Sequence, residues 1–181
     1  AQLLRSAADR RALRALRQLP APCPGLPGRR RCGSACESIQ HVTERLYYTD
    51  PYATEFDATV LSVEAVPDVA RRGVILDRTA FYPTSGGQPF DIGVLGAARV
   101  IDVVVRDDGS IMHVIEGDLA AGPVHGRLDW TRRFEHMQQH TGQHVLSAAF
   151  DRVLQVRTVS FHLGTSSSTI DLAREVTAGE I

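Results

Sequence analysis

The chain has 181 residues, 43% of them hydrophobic, and a formal net charge of −1. That is room for one ordinary domain, or for a small domain with part of another, and no apolar run is long enough to span a bilayer. All 20 basic residues are arginine, and they divide unevenly: residues 1–42 hold 8 Arg against 2 acids (+6), residues 43–181 hold 12 against 19 (−7).

Residues 3–19 can be written as an arginine-rich helix with Leu3, Leu4, Ala7, Leu13, Leu16 and Leu19 interspersed. This suits a basic arm for nucleic acid or an organelle-targeting peptide. Residues 20–36 are rich in proline and glycine, carry Arg29-Arg30-Arg31, and do not build a core. A third reading, the one adopted, makes residues 1–41 disordered or no natural part of the protein, with a valine codon at Val42 serving as the start. Cys23, Cys32 and Cys36 are odd in number and follow no signal-peptide core, so a disulfide scaffold is not expected. A cytoplasmic setting fits best.

From Ala53 the pattern has period two: Phe56, Ala58 and Val60 alternate with Glu55, Asp57 and Thr59, as a half-buried strand requires. Gly73–Phe81, Arg99–Val105, Ile111–Glu116 and Pro123–Leu128 read as further short strands. Asp107-Asp108-Gly109-Ser110 and Ala121-Gly122-Pro123 supply turns. With no helix between them, these strands predict a small antiparallel barrel over residues 43–128.

The period then changes. Phe134, Met137, Thr141, Val145 and Ala148 keep helical spacing, so Thr131 to about Leu154 is predicted as one helix, capped by Asp129 or Thr131. Val156–His162 and Ser167–Leu172 read as a hairpin. Thr177-Ala178-Gly179-Glu180 is a capping box, so a second domain, residues 129–181, is expected to be cut short by the end of the chain.

Two stretches carry chemistry. On the predicted helix, His136, His140 and His144 fall at steps of four, which puts them on one ridge. Two imidazoles one turn apart can share a tetrahedral zinc ion. A metalloprotease would place glutamate directly after the first histidine, but Met137 and Thr141 follow here, which excludes that reading. Gly142 suggests a close backbone approach nearby. Spacing alone leaves zinc and plain packing both open. The second stretch is Thr79-Ala80-Phe81-Tyr82-Pro83-Thr84-Ser85-Gly86-Gly87-Gln88-Pro89. Its paired glycines permit positive φ and close approach of a ligand to backbone N–H groups, and Gln88 adds a donor and an acceptor. A tight hairpin with no further role has the same appearance.

In this order, Thr79–Gln88 followed by His140-Thr-Gly-Gln-His144 resembles the alanyl-tRNA editing proteins, relatives of the editing domain of alanyl-tRNA synthetase. The likeness runs from about Thr43 to Ile181. It takes in Gly122-Pro-Val-His-Gly-Arg-Leu-Asp-Trp and Ser160-Phe-His-Leu-Gly, and gives residues 1–42 no counterpart. It implies an α+β chain: a glycine-motif β-barrel followed by the start of an α/β editing domain. It also implies hydrolysis of the ester joining serine or glycine to tRNA for alanine, with zinc held by His140 and His144. Gly86, Gly87 and Gln88 would lie beside the editing pocket, and His136 would be structural or stand behind the ligands. The family completes its zinc site with a downstream Cys-x-x-x-His, which does not follow His144 here. Weak metal affinity and inefficient deacylation by this chain are therefore expected. Thr79 or Thr84 would meet the serine hydroxyl, and Arg132 and Arg133 at the helix start are the expected tRNA contacts in an otherwise acidic region. Two rivals remain: the corresponding piece of a complete alanyl-tRNA synthetase, and a non-catalytic nucleic-acid-binding barrel with a vestigial histidine helix.

Overall fold

A computed structural model describes residues 42–66, 71–164 and 167–180. The arginine-rich segment, the three cysteines and the expectations attached to them lie outside these residues.

The alternating segments do form strands, and the strands close. The order is β1 (Glu44–Arg45), a 3-10 turn (Leu46–Tyr48), β2 (Glu55–Ala65), β3 (Arg72–Leu76), β4 (Arg78–Thr79), β5 (Gly93–Leu95), β6 (Ala98–Val105), β7 (Ile111–Glu116) and β8 (Gly122–Leu128). They are followed by helix α1 (Trp130–Leu154), β9 (Thr158–Leu163) and β10 (Ser168–Leu172). Strands β2-β3-β7-β6-β5-β8 form a closed barrel in which every pair is antiparallel. Closure leaves the barrel itself no edge strand to template association. The fold is the expected α+β arrangement of a barrel followed by a helix.

The period-two pattern of β2 points Phe56, Ala58 and Val60 inward, and β8 answers with Val124 and Leu128. Phe81 is fully buried at the centre, with ring centroids 5.7 Å from Phe56 and 5.6 Å from His113. Strand β7 is buried from Ile111 to Ile115 because a second cluster, Val66, Ile75, Met112 and Val114, covers its outer face. Sequence reading merged β3 and β4 and missed β5, whose three residues are too few to show a period. Asp77 separates β3 from β4, and its carboxylate accepts from the Thr59 and Arg78 N–H groups at 2.7 and 2.8 Å.

Asp129 caps α1, accepting from the Arg132 N–H at 3.1 Å, and Gln155 ends it in the left-handed region at φ 55°. The predicted apolar stripe is not the buried face. Phe134 is 41% exposed and Val145 67%, whereas Arg133 and His136 are buried. The helix therefore turns its polar ridge toward the barrel and hairpin. At the chain end, the Thr177 N–H and hydroxyl both donate to Glu180 Oε2 at 3.0 Å, the glutamate half of a capping box.

Candidate functional site

Ser85 and Gln88 pair as an isolated bridge, with N–H to carbonyl bonds of 3.1 and 2.9 Å in the two directions. The residues between them, Gly86 and Gly87, have φ of 54° and 80°. Positive φ at both central positions is what a two-residue type I′ turn demands. Space explains Gly87 further: a Cβ there would lie 2.5 Å from the Phe161 carbonyl oxygen. The Gly87 carbonyl in turn accepts from the Leu163 N–H at 3.1 Å. The close approach foreseen for a ligand is thus made by strand β9. Among the described residues Gly86 has nothing within 4 Å of its Cβ position, and neither has Gly142, so no backbone contact among them accounts for the helix glycine.

This turn aims Gln88 at the helix. Gln88 is 6% exposed, and its Oε1 lies 2.8 Å from His140 Nδ1. For Gln88 Oε1 to accept this bond, Nδ1 must carry the hydrogen, which in the neutral ring leaves Nε2 its lone pair. His144 follows one turn later with its ring stacked on His140, centroids 4.8 Å apart. Phe161 of β9 packs its ring edge against His140 at 5.2 Å and stands 6.5 Å from His144. Partial burial, and secondarily the neighbouring His144, holds the His140 pKa below the usual imidazole value. The junction thus joins Gly87, Gln88, His140, His144 and Phe161. Phe161 escaped sequence reading as a site residue, because a phenylalanine in a hairpin reads as core.

The other expected site residues fall elsewhere. Thr79 is fully buried in the barrel; its hydroxyl lies 2.8 Å from His113 Nε2 and accepts from the Phe81 N–H at 3.1 Å. The Thr79 hydroxyl is thus engaged inside the barrel, whereas Thr84, beside the turn, is exposed. Arg133, expected as a nucleic-acid contact, is 3% exposed and paired with the buried Asp91. Arg132 is half-buried, donating Nε to the Phe90 carbonyl at 3.2 Å with its guanidinium 5.4 Å from the Phe90 ring. His136 is buried with no hydrogen-bond partner for Nδ1 among the described residues, and burial lowers its pKa.

Residues 30–132 match the family model described as tRNA synthetases class II (A). The chain belongs to this family. The match begins upstream of the Val42 start inferred from the sequence, inside the segment expected to lack a counterpart, and ends before the histidines. Curated relatives match a larger share of the chain. The alanyl-tRNA editing protein AlaX-M of Methanosarcina barkeri is 40% identical over 146 residues, 75% of this chain and 58% of that protein. AlaX-L of Pyrococcus horikoshii is 38% identical over 146 residues, 75% of this chain and 35% of that one. The alanine–tRNA ligase of Thermococcus kodakarensis is 48% identical over 118 residues, 62% of this chain and 12% of the ligase. The chain therefore spans little more than half of one relative and a small part of the others.

Does the site fit zinc? An imidazole whose Nδ1–H is held by a carbonyl presents Nε2, the arrangement metal-bound histidines usually have. His140 meets this condition through Gln88, and His144 stands one turn away. The described residues bring no group of three or more His, Cys, Asp or Glu together. The donor set fits half of a tetrahedral site. No helix among the described residues is long and apolar enough to cross a membrane.

Proposed function

We propose that this chain serves in hydrolysis of mischarged tRNA, cleaving the ester of serine or glycine on tRNA for alanine at the Gln88–His140–His144 junction, with zinc held by His140 and His144. The observation that supports this most is the 2.8 Å bond from His140 Nδ1 to Gln88 Oε1. It makes one site of two motifs separated by fifty-two positions, the two stretches on which the resemblance to editing proteins rests.

An aminoacyl ester is already activated, so its hydrolysis needs placement of the carbonyl and of one water. Gln88 spends its oxygen on His140 and keeps its amide N–H donors for an ester carbonyl. Phe161 walls the histidine pair from one side and limits water there. Zinc, when bound, would polarise the carbonyl or lower the pKa of a water to about 7. Discrimination against alanine falls to a polar group that alanine leaves unpaired, and of Thr79 and Thr84 it is Thr84 that is exposed. The match to ligases supports a second reading, in which this stretch is the editing region of a complete alanine–tRNA ligase. Both readings place the same chemistry at the same residues.

The test is hydrolysis of seryl-, glycyl- and alanyl-tRNA for alanine by this chain, with saturating zinc and with chelator. Slow, zinc-dependent release of serine or glycine, lost in His140→Ala and milder in His136→Ala, is expected. Release that His140→Ala leaves unchanged, or none at saturating zinc, would remove the editing function from this chain.

A further inference from the structure

Arg133 was expected at the surface and is instead the most heavily bonded side chain between the barrel and the helix. Its Nε donates to Asp91 Oδ2 at 2.9 Å, its Nη2 to the Ala80 carbonyl at 2.5 Å and its Nη1 to the Pro51 carbonyl at 3.1 Å. Asp91 is itself the latch of the glycine loop. Its N–H donates to the Tyr82 carbonyl at 3.0 Å, and its Oδ2 accepts from the Tyr82 N–H at 2.6 Å. One planar guanidinium thus grips the chain on both sides of the loop, at Ala80 before it and Asp91 after it. Gln88 sits inside the loop so closed.

Arg133 precedes His140 by seven positions, two helical turns, or about 10 Å along the same face. Slipping the helix by one residue would turn that face by about 100° and move it by about 1.5 Å. Either displacement would take His140 Nδ1 away from Gln88 Oε1. A bond between a loop and a helix of mostly exposed residues is easily lost unless something else fixes their register. We propose that Arg133, acting through Asp91, is the positioning residue that registers the histidine helix against the glycine loop and so holds His140 in its Nδ1–H tautomer. The proposal rests on the junction being the reaction centre, but its test reads histidine tautomers in the metal-free protein, with zinc binding beside them, and needs no activity.

A purely structural ion pair would require only charge, whereas registering requires the fork. Lysine supplies the charge to Asp91, but its single ammonium cannot reproduce the fork that reaches Asp91, Ala80 and Pro51 together. The experiment records nitrogen-15 histidine spectra of the metal-free chain at a pH where imidazoles are neutral, for the native sequence, Arg133→Lys and the double variant Arg133→Met/Asp91→Leu. The double variant removes both buried charges, a change that folds commonly tolerate. His113 is the internal control for the barrel, since its Nδ1 faces the Val74 carbonyl at 3.2 Å. In the native chain, both His113 and His140 are expected as Nδ1–H. In the variants His113 keeps its tautomer, while His140 moves to a mixture dominated by Nε2–H, the form free imidazole prefers. Zinc affinity then falls about 10-fold or more, the scale of losses seen when a histidine's outer partner is removed. His140 remaining Nδ1–H in both variants would overturn the proposal. Loss of the His113 pattern in both would overturn it as well, because the pair would then be holding the barrel together rather than registering the helix against it.

Discussion

The barrel and the helix–hairpin region are built on opposite terms. In the barrel, strands alternate, the sheet closes, and Val74, Leu76, Phe81, Leu95 and Ile111 lose all exposure. The histidine inside it is paired on both nitrogens: His113 lies against Thr79 on one and Val74 on the other. Along α1 the buried residues are Arg133 and His136, while Val145, Leu146 and Val153 are 67%, 46% and 76% exposed. The helix is placed by polar contacts at one end and along one ridge. The barrel therefore governs stability, and the junction governs whether the loop and the histidines meet. Variants should separate the two.

The largest effect is expected in the core. Phe81→Ala should lower unfolding free energy by about 3–5 kcal/mol in urea titration, because neither Phe56 nor His113 can fill the space. A loss below about 1 kcal/mol would show a barrel looser than its burial implies.

Acid should find the next weakness. Burial pushes the His113 pKa down to about 4, with its bond to Val74 opposing only weakly. A folded-state value below the unfolded one means that the unfolded chain takes up the proton first. Stability is therefore whole above pH 6.5 and falls as pH drops from 6.5 to 4, by up to roughly 1.4 kcal/mol per pH unit and roughly 3 kcal/mol in all. His113→Gln should flatten the pH dependence over that window, read as the difference between the two chains in denaturant titrations. An unchanged slope would assign the acid loss to other groups.

At the junction, Gly87→Ala meets both the φ of 80° and the Phe161 carbonyl, and should cost about 1–3 kcal/mol. It should also free β9 from the loop, visible as faster amide exchange at Leu163 and weaker zinc binding. Gly86→Ala meets only its φ, so it should leave Leu163 protected. Equal effects of the two would mean that the turn, and not the approach of β9, requires glycine.

The smallest effect belongs to the exposed helix face. Val153→Ser should shift stability by less than about 0.5 kcal/mol. A large loss would mean that this face is covered in solution, and the contrast between the two regions would need redrawing.

Much of this was legible in the chain. Alternation in β2 and β8, the change of period near Thr131, a cap at Asp129 or Thr131 and the hairpin after the helix follow from side-chain periodicity and capping chemistry, which act within a few residues. The paired glycines and the histidine spacing are local in the same sense, so both candidate stretches could be found by reading. β5 and the split between β3 and β4 could not, since strands of two or three residues show no period. Nor could the two arginines be told apart: Arg132 and Arg133 are neighbours of one type, and a helix turns about 100° between them. That rotation takes one to Phe90 and the other to the buried Asp91. The sequence determined which segments are strand and helix and which residues have chemistry to offer. Tertiary structure decided that the polar ridge of the helix faces inward, that Thr79 belongs to His113, and that Gln88 reaches His140. Each of these is a meeting between residues far apart in the chain, fixed by barrel closure and the helix's docking angle, which no local pattern encodes.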